Sequence, residues 1–333
     1  MEIKIQENSV VIVENQKKKN AQSVKQLMKE MQNSVKNVEK NYNMNTLYDE
    51  TKFILKKYGI IANKKLGQNF LISDEVVNAI VTAAKLSKTD LVIEIGPGLG
   101  NLTKPLLENA GKVVCVELDS NMLQILKERF LLYSNLEIIK QDILKVDLAK
   151  LIREEKQKNT NLQTVKVVAN LPYYITSPIM MYLLEQKLEI ESITVMVQKE
   201  VAERFIAIPG QKQAGAITYT IYYYAEGEKV IDVPKDSFIP EPEVDSEVIH
   251  LKIRKEPLFP LAPDSLFFPM IKTAFSQRRK TLLNTLVNGN ILSSKEEGKK
   301  ILETLGLPET IRGEALSIED FKRLAEMIEQ KRR

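Results

Sequence analysis

The sequence holds one cysteine, Cys115, and one histidine, His250, among 333 residues. A single thiol allows no internal disulfide, and neither a His-rich nor a Cys-rich metal site can be assembled. No metal is expected, and zinc or histidine-based hydrolytic chemistry is disfavoured. No apolar run approaches the roughly 20 residues that span a bilayer, and the amino terminus shows no hydrophobic signal core. The expectation is a soluble, cytoplasmic protein with no membrane partner. A strong charge of one sign is also missing: the net charge is +4, and residues 1–44, with eight lysines and five glutamates, carry +3 of it. Any surface for a nucleic acid must then be a local patch offset by acidic residues elsewhere.

What is present divides the chain. At 44% hydrophobic, it is long enough for one large core plus a smaller one. Residues 1–45 read as a polar extension rich in Lys, Asn and Gln. Val24, Leu27, Met28, Met31, Val35 and Val38 fall at helical spacing there, but the composition equally fits a poorly ordered tail or an over-extended reading frame before Met44. Residues 46–256 read as a Rossmann-like domain. From Leu91, apolar strands alternate with amphipathic helices, the pattern of βαβ units on a parallel sheet: strands at 91–95, 112–116, 136–139, 165–169 and 193–197, helices at 102–109, 121–133 and 177–186. Three more strands, at 217–224, 228–233 and 248–253, are predicted to close the sheet as an antiparallel edge. Past the Pro-rich stretch 256–263, residues 257–333 form a small all-helical domain with helices at 266–288, 294–305 and 317–330. Ser317 with Asp320 three residues on resembles a capping box. The fold class is therefore α/β with a helical C-terminal domain.

The first strand runs into Gly96-Pro-Gly98-Leu-Gly100, and 21 residues past Gly96 the second strand ends in Glu117. Glycines let backbone approach a ligand closely, and a strand-end carboxylate can accept hydrogen bonds from both hydroxyls of a ribose. NAD and S-adenosylmethionine both carry that ribose; the missing third pyrophosphate glycine tilts the reading to the methyl donor. Asp142, past the third strand, can receive an adenine amine or cap a helix. Cys115 reads as a small buried hydrophobe and His250 as structural.

After the fourth strand comes Asn170-Leu-Pro-Tyr173. An adenine amine is a poor nucleophile because its lone pair is delocalised into the ring, so it must be held rehybridised and aligned. The Asn170 side-chain oxygen and the Leu171 carbonyl can accept its two hydrogens, Pro172 fixes the turn, and Tyr173 can stack on the base. A sulfonium leaving group needs no strong general base.

The runs Asn63-Lys-Lys-Leu-Gly-Gln-Asn-Phe-Leu71, Glu94-Ile-Gly-Pro-Gly-Leu-Gly100, Asn170-Leu-Pro-Tyr-Tyr-Ile-Thr-Ser-Pro178, Gln198-Lys-Glu-Val-Ala202 and Phe275-Ser-Gln-Arg-Arg-Lys280, in this order, resemble the ribosomal RNA adenine N6,N6-dimethyltransferase family of KsgA (RsmA) type from about Leu47 to about Glu329. The resemblance implies S-adenosylmethionine-dependent dimethylation of two adjacent adenosines in the last hairpin loop of 16S ribosomal RNA, on an immature small subunit, by a monomer. It implies a donor held by Asn69, Leu71, Gly96, Glu117, Asp142 and Asn170. It also implies that Phe238 sandwiches the flipped base opposite Tyr173, although a Phe among prolines also reads as core. Lys64, Lys65, Arg204, Arg278, Arg279 and Lys280 are candidate RNA contacts, with a solvated helix face as the plainer reading of the arginine pair. Glu243 departs from the lysine usual in the family and removes a possible phosphate contact. Three competing readings remain: a 23S ribosomal RNA methylase of the erythromycin-resistance type, disfavoured by Leu171 and Thr176-Ser-Pro178; a non-catalytic assembly factor, disfavoured by the intact loop; and a nicotinamide oxidoreductase, which leaves that loop unexplained.

Overall fold

The structure is a computed structural model that describes residues 46–63, 66–277 and 279–332. The N-terminal extension 1–45, Lys64, Lys65 and Arg278 lie outside the described residues.

Helix α1 (Leu47–Tyr58) starts where the Thr46 hydroxyl accepts from the Asp49 amide and stops at Gly59, in the left-handed region. A two-residue strand β1 (Phe70–Leu71) and helix α2 (Asp74–Ala84), capped by Ser73, lead into the sheet. There β2 (Asp90–Ile95), β3 (Lys112–Glu117), β4 (Leu136–Lys140), β5 (Thr164–Asn170) and β6 (Ser192–Gln198) alternate with α3 (Thr103–Asn109), α4 (Ser120–Arg129), α5 (Leu148–Lys158) and α6 (Thr176–Glu185). After β6 come α7 (Lys199–Ile206), α8 (Ala216–Tyr224), β7 (Ala225–Val233), the two-residue β8 (Phe238–Ile239) and β9 (Ser246–Ile253). The seven-stranded order is β4-β3-β2-β5-β6-β9-β7, parallel through β6 and antiparallel at β9 and β7. β8 pairs with β1 in a separate ribbon.

The inner parallel strands β2, β3, β5 and β6 are largely apolar on both faces because helices cover both. Leu91, Ile93, Ile95, Val114, Val116, Val167 and Ala169 point into one core, and Val92, Val113, Cys115, Val168 and Met196 into the other. Strand order reverses between β2 and β5, which are hydrogen-bonded neighbours. That switch opens a crevice beyond their carboxyl ends. The five central strands and two of the three expected edge strands match the sequence expectation to within a residue or two at most ends.

Two expectations are corrected. Residues 217–224 are not a strand but most of helix α8, and the expected helix 266–288 is two, α9 (Phe267–Ser276) and α10 (Leu282–Asn288), broken at the Gln277–Lys280 run. Helices α11 (Lys295–Thr304) and α12 (Ile318–Arg332) complete the chain. The capping box at the latter is present: the Ser317 hydroxyl accepts from the Asp320 amide at 3.0 Å, and the Asp320 carboxylate accepts from the Ser317 amide at 3.0 Å. These helices enclose a third core, to which α8 contributes Tyr219 and Tyr223.

Candidate active site

The crevice at the switch is lined by 66–71, by the loop after β2, by the ends of β3 and β4, and by 170–175. It thus gathers Asn69, Leu71, Gly96, Glu117, Asp142, Asn170, Leu171, Pro172 and Tyr173, which the sequence separates by up to 104 positions. The glycine loop leaves β2 with Gly96 at φ +65°, where a Cβ would lie 3.8 Å from the Pro172 ring. Gly100, at φ +85°, has no room for any side chain because its Cβ would collide with the Phe130 ring. The loop is therefore held between the Asn-Leu-Pro turn and the underlying helix, with the Gly96, Gly98 and Gly100 amides donating to the Val116 carbonyl, the Glu117 carboxylate and the Pro97 carbonyl.

Glu117 is 8% exposed. One carboxylate oxygen accepts from the Leu118 and Asp119 amides, each at 2.8 Å, and the other from the Gly98 amide at 3.1 Å. Burial weakens the acidity of this carboxyl, holding its pKa above the usual carboxylate value, and these three amides oppose the shift. They also fix the side chain at the end of β3. Asp142, at the end of β4, accepts from the Leu144 amide at 3.1 Å, so it caps a short turn and lines the cleft at once.

Asn170 ends β5. Its side-chain nitrogen donates to the Asn69 carbonyl at 3.3 Å, which leaves the side-chain oxygen as the free acceptor of the amide. Asn69 itself donates from Nδ2 to the Gly67 carbonyl at 3.2 Å. The Leu171 amide is committed to the Met196 carbonyl across the sheet, which pins the turn. The Tyr173 hydroxyl bonds the Ser246 hydroxyl on β9 at 2.5 Å, so the ring of a half-buried tyrosine is held at the cleft wall. Burial weakens the acidity of that phenol.

Phe238 is not at the wall. Its ring is 2% exposed and packs in the core with Leu71, Val233 and Val248. The β1–β8 ribbon sets Phe238 opposite Leu71, which reaches the cleft lining while the Phe238 ring does not. In this fold the ring lies behind the cleft lining and not in it. Of the described basic candidates, Arg204 is paired to Glu200 at 2.6 Å on α7, and Arg279 and Lys280 are exposed in the turn between α9 and α10; none lines the cleft.

Four residues that sequence reasoning did not single out complete the site. Gln68 donates to Asp119 at 2.8 Å, strapping the segment before β1 to the end of β3. Asn101 is 7% exposed and donates to Thr51 on α1 and to the Leu71 carbonyl, at 2.8 and 2.7 Å. Glu94, 1% exposed within the glycine motif, accepts from Thr103 at 2.7 Å and from the Cys115 thiol at 3.3 Å. Burial pushes its carboxyl up to about 7 and raises the Cys115 thiol as well. Tyr174, beside Tyr173, lines the cleft and is 54% exposed. All but Thr51 and Asp119 lie inside or next to motifs visible in the sequence. Their partners, up to 51 residues away, are not. Among the described residues no group of His, Cys, Asp and Glu is placed to hold a metal ion. No helix among them is long and apolar enough to cross a membrane.

A doubly wound sheet that opens at its switch point onto a glycine loop, a buried carboxylate at the end of the second strand and an Asn-Leu-Pro-Tyr turn has the architecture of a Rossmann-like methyltransferase. The comparisons with known proteins narrow this. The family model for ribosomal RNA adenine dimethylases matches residues 60–330, and the chain belongs to that family. It is 45% identical over 279 residues to the ribosomal RNA small subunit methyltransferase A of Alkaliphilus metalliredigens, covering 84% of this chain and 96% of the relative. It is 46% identical over 280 residues to that of Lachnoclostridium phytofermentans, covering 84% and 95%. Among solved structures, a dimethyladenosine transferase from Plasmodium falciparum superposes with TM-score 0.65 at 28% identity, over 79% of this chain and 98% of the other. The 23S rRNA methyltransferase ErmE gives 0.60 at 26%, over 79% and 100%. The chain is thus a methyltransferase, and the nicotinamide oxidoreductase reading is set aside.

Proposed function

We propose that the protein uses S-adenosylmethionine to dimethylate the N6 amines of two adjacent adenosines in the 3′-terminal hairpin loop of 16S ribosomal RNA, acting in the cytoplasm as a monomer on an immature small subunit. The observation that carries this reading is the orientation of Asn170. Its nitrogen is occupied by the Asn69 carbonyl, so its oxygen is the acceptor presented beside the glycine loop.

The cleft fits the donor. Gly96 gives a flat cradle that a side chain would fill, the fixed Glu117 carboxylate suits ribose hydroxyls, and Asp142 suits an adenine amine. Asn69, Leu71 and Asn170 would hold the remainder. When bound, the donor supplies an electrophilic methyl on a sulfonium. The protein's part is to orient the amine: Asn170 Oδ1 and the Leu171 carbonyl accept its two hydrogens, which draws the lone pair out of conjugation, while the Tyr173 face supports the base. The proton leaves to water, consistent with a site without histidine. Lys64, Lys65, Arg204, Arg278, Arg279 and Lys280 remain the proposed phosphate contacts, and the helical region 257–333 the proposed second domain.

The test incubates the protein and Asn170→Ala with labelled S-adenosylmethionine and small subunits lacking the modification, then locates methyl groups by mass spectrometry of RNA fragments. Dimethyladenosine in the last 16S hairpin, reduced at least about 100-fold in the variant, is expected. Label confined to 23S RNA would favour a resistance-type methylase instead. Donor binding with no labelled RNA would favour an assembly factor.

A further inference from the structure

The two tyrosines that follow Pro172 face different tasks. Tyr173 is tethered by its hydroxyl to Ser246 on β9, the side away from the carboxylates. Tyr174 is more than half exposed, yet it lines the cleft, and its ring edge lies against Gly67, where a Cβ would sit 3.6 Å from Cδ1. It shares the cleft lining with Asp142 and Glu117, the groups that suit an adenosine, and burial and those carboxylates weaken the acidity of its phenol.

The rim around it is apolar as well. Leu118, next to Glu117, is 50% exposed, and Leu144, two residues past Asp142, is 37% exposed; both line the same cleft. Large apolar side chains left in water around one opening mark a surface that a ligand covers. A purine ring presents two apolar faces and a polar edge. A rim of a tyrosine and two leucines, backed by a carboxylate for the amine, is built to that shape.

We infer that Tyr174 is a donor-binding residue, closing with Leu118 and Leu144 over the adenosyl end of the methyl donor, and that it does not contact the target base. The inference rests on the proposed donor site. It assigns the loop's first tyrosine to the acceptor and its second to the donor, so that one short turn aligns both.

Because the sequence has no tryptophan, Tyr174→Trp places a single indole at the rim of the full-length protein. S-adenosylhomocysteine should shift or quench its emission in a saturable manner. In calorimetry, Tyr174→Ala should weaken S-adenosylhomocysteine binding about tenfold or more and raise KM for S-adenosylmethionine in parallel, with KM for small subunits within twofold. Tyr174→Phe, which keeps the ring, should bind within about threefold of the wild type. Wild-type binding that Tyr174→Ala leaves unchanged, or an indole that responds to RNA and not to S-adenosylhomocysteine, would overturn the inference and leave the proposed function standing. A wild-type protein that binds no S-adenosylhomocysteine would instead overturn the donor site itself, and this inference with it.

Discussion

At the scale of single residues, Glu94 carries the largest electrostatic burden in the cleft. Its carboxyl is buried on β2 with only Thr103 and Cys115 as donors, and a second carboxylate, Glu117, lies close enough to raise it further. The folded group titrates at about 7 against an ordinary 4.5, so between those values the folded state holds more protons than the unfolded one. Stability therefore falls as pH rises through that window, by roughly 2–3 kcal/mol in all. Glu94→Gln keeps an acceptor for Thr103 and removes the ionisation. It should melt several degrees above the wild type at pH 8 and level with it at pH 4.5, read by circular dichroism. A gap equal at both pH values would show that the proton is not held by burial. Glu94 also shows how far single residues are legible. Asn170, Glu117 and Gly96 announce themselves because their chemistry follows from residue type and local spacing. The placement of Phe238 is not legible for the converse reason: nothing in Ser237-Phe-Ile-Pro240 says which way a ring in a two-residue strand turns, and in the fold it is buried opposite Leu71.

At the scale of elements, helix α8 is the instructive case. Ala-Ile-Thr-Tyr-Thr-Ile-Tyr-Tyr-Tyr is dense in β-branched and aromatic residues, the composition of a strand, yet it forms a helix with Thr218, Tyr219, Thr220, Ile221 and Tyr223 all buried. A helix covered on several sides loses the period that would reveal it. Ile221 enters the sheet's core, while Tyr219 and Tyr223 enter the C-terminal one. The start is set by tertiary bonds: the Gly215 amide donates to the Thr218 hydroxyl at 2.9 Å, and that hydroxyl donates to the Arg204 carbonyl at 2.6 Å. Tyr219 then ties the helix down, its hydroxyl donating to the Leu316 carbonyl at 2.5 Å and accepting from the Gly210 amide at 3.2 Å. Tyr219→Phe leaves the buried Leu316 carbonyl without this donor and should cost about 1–3 kcal/mol. The measurement is a lower urea midpoint at unchanged slope; an unchanged midpoint would mean that water replaces the phenol. The break between α9 and α10 escaped for a related reason. Both helices pack on one core, so apolar spacing runs through the gap, and only the Thr281 cap, accepting from the Asn284 amide, marks the restart.

At the scale of the whole molecule, the same helix decides whether the two cores can be parted. Read from the sequence, the larger domain ends at 256, and a cut there would keep α8 with the sheet. In the fold, Ala214, Tyr219 and Tyr223 pack with Phe267, Met270, Leu282, Phe321 and Leu324, which the cut would remove. Tyr223 also meets Phe259, Phe267 and Phe268 edge-on or tilted, at centroid distances of 5.1, 5.9 and 5.2 Å. A fragment of 46–256 would therefore expose two buried tyrosines on one helix and lose the carbonyl that receives Tyr219. The intact chain should unfold in one transition, coincident by circular dichroism and by proteolysis. The fragment should unfold at a lower urea concentration and bind a hydrophobic dye that the intact chain does not. The cleft residues all precede the cut, so a fragment that kept the parent midpoint and donor affinity would show that α8 belongs to the sheet alone and that the helical region is a separable appendage. Loss of both would show that the helices of 267–332 act on the donor cleft through α8 and α7, without touching it.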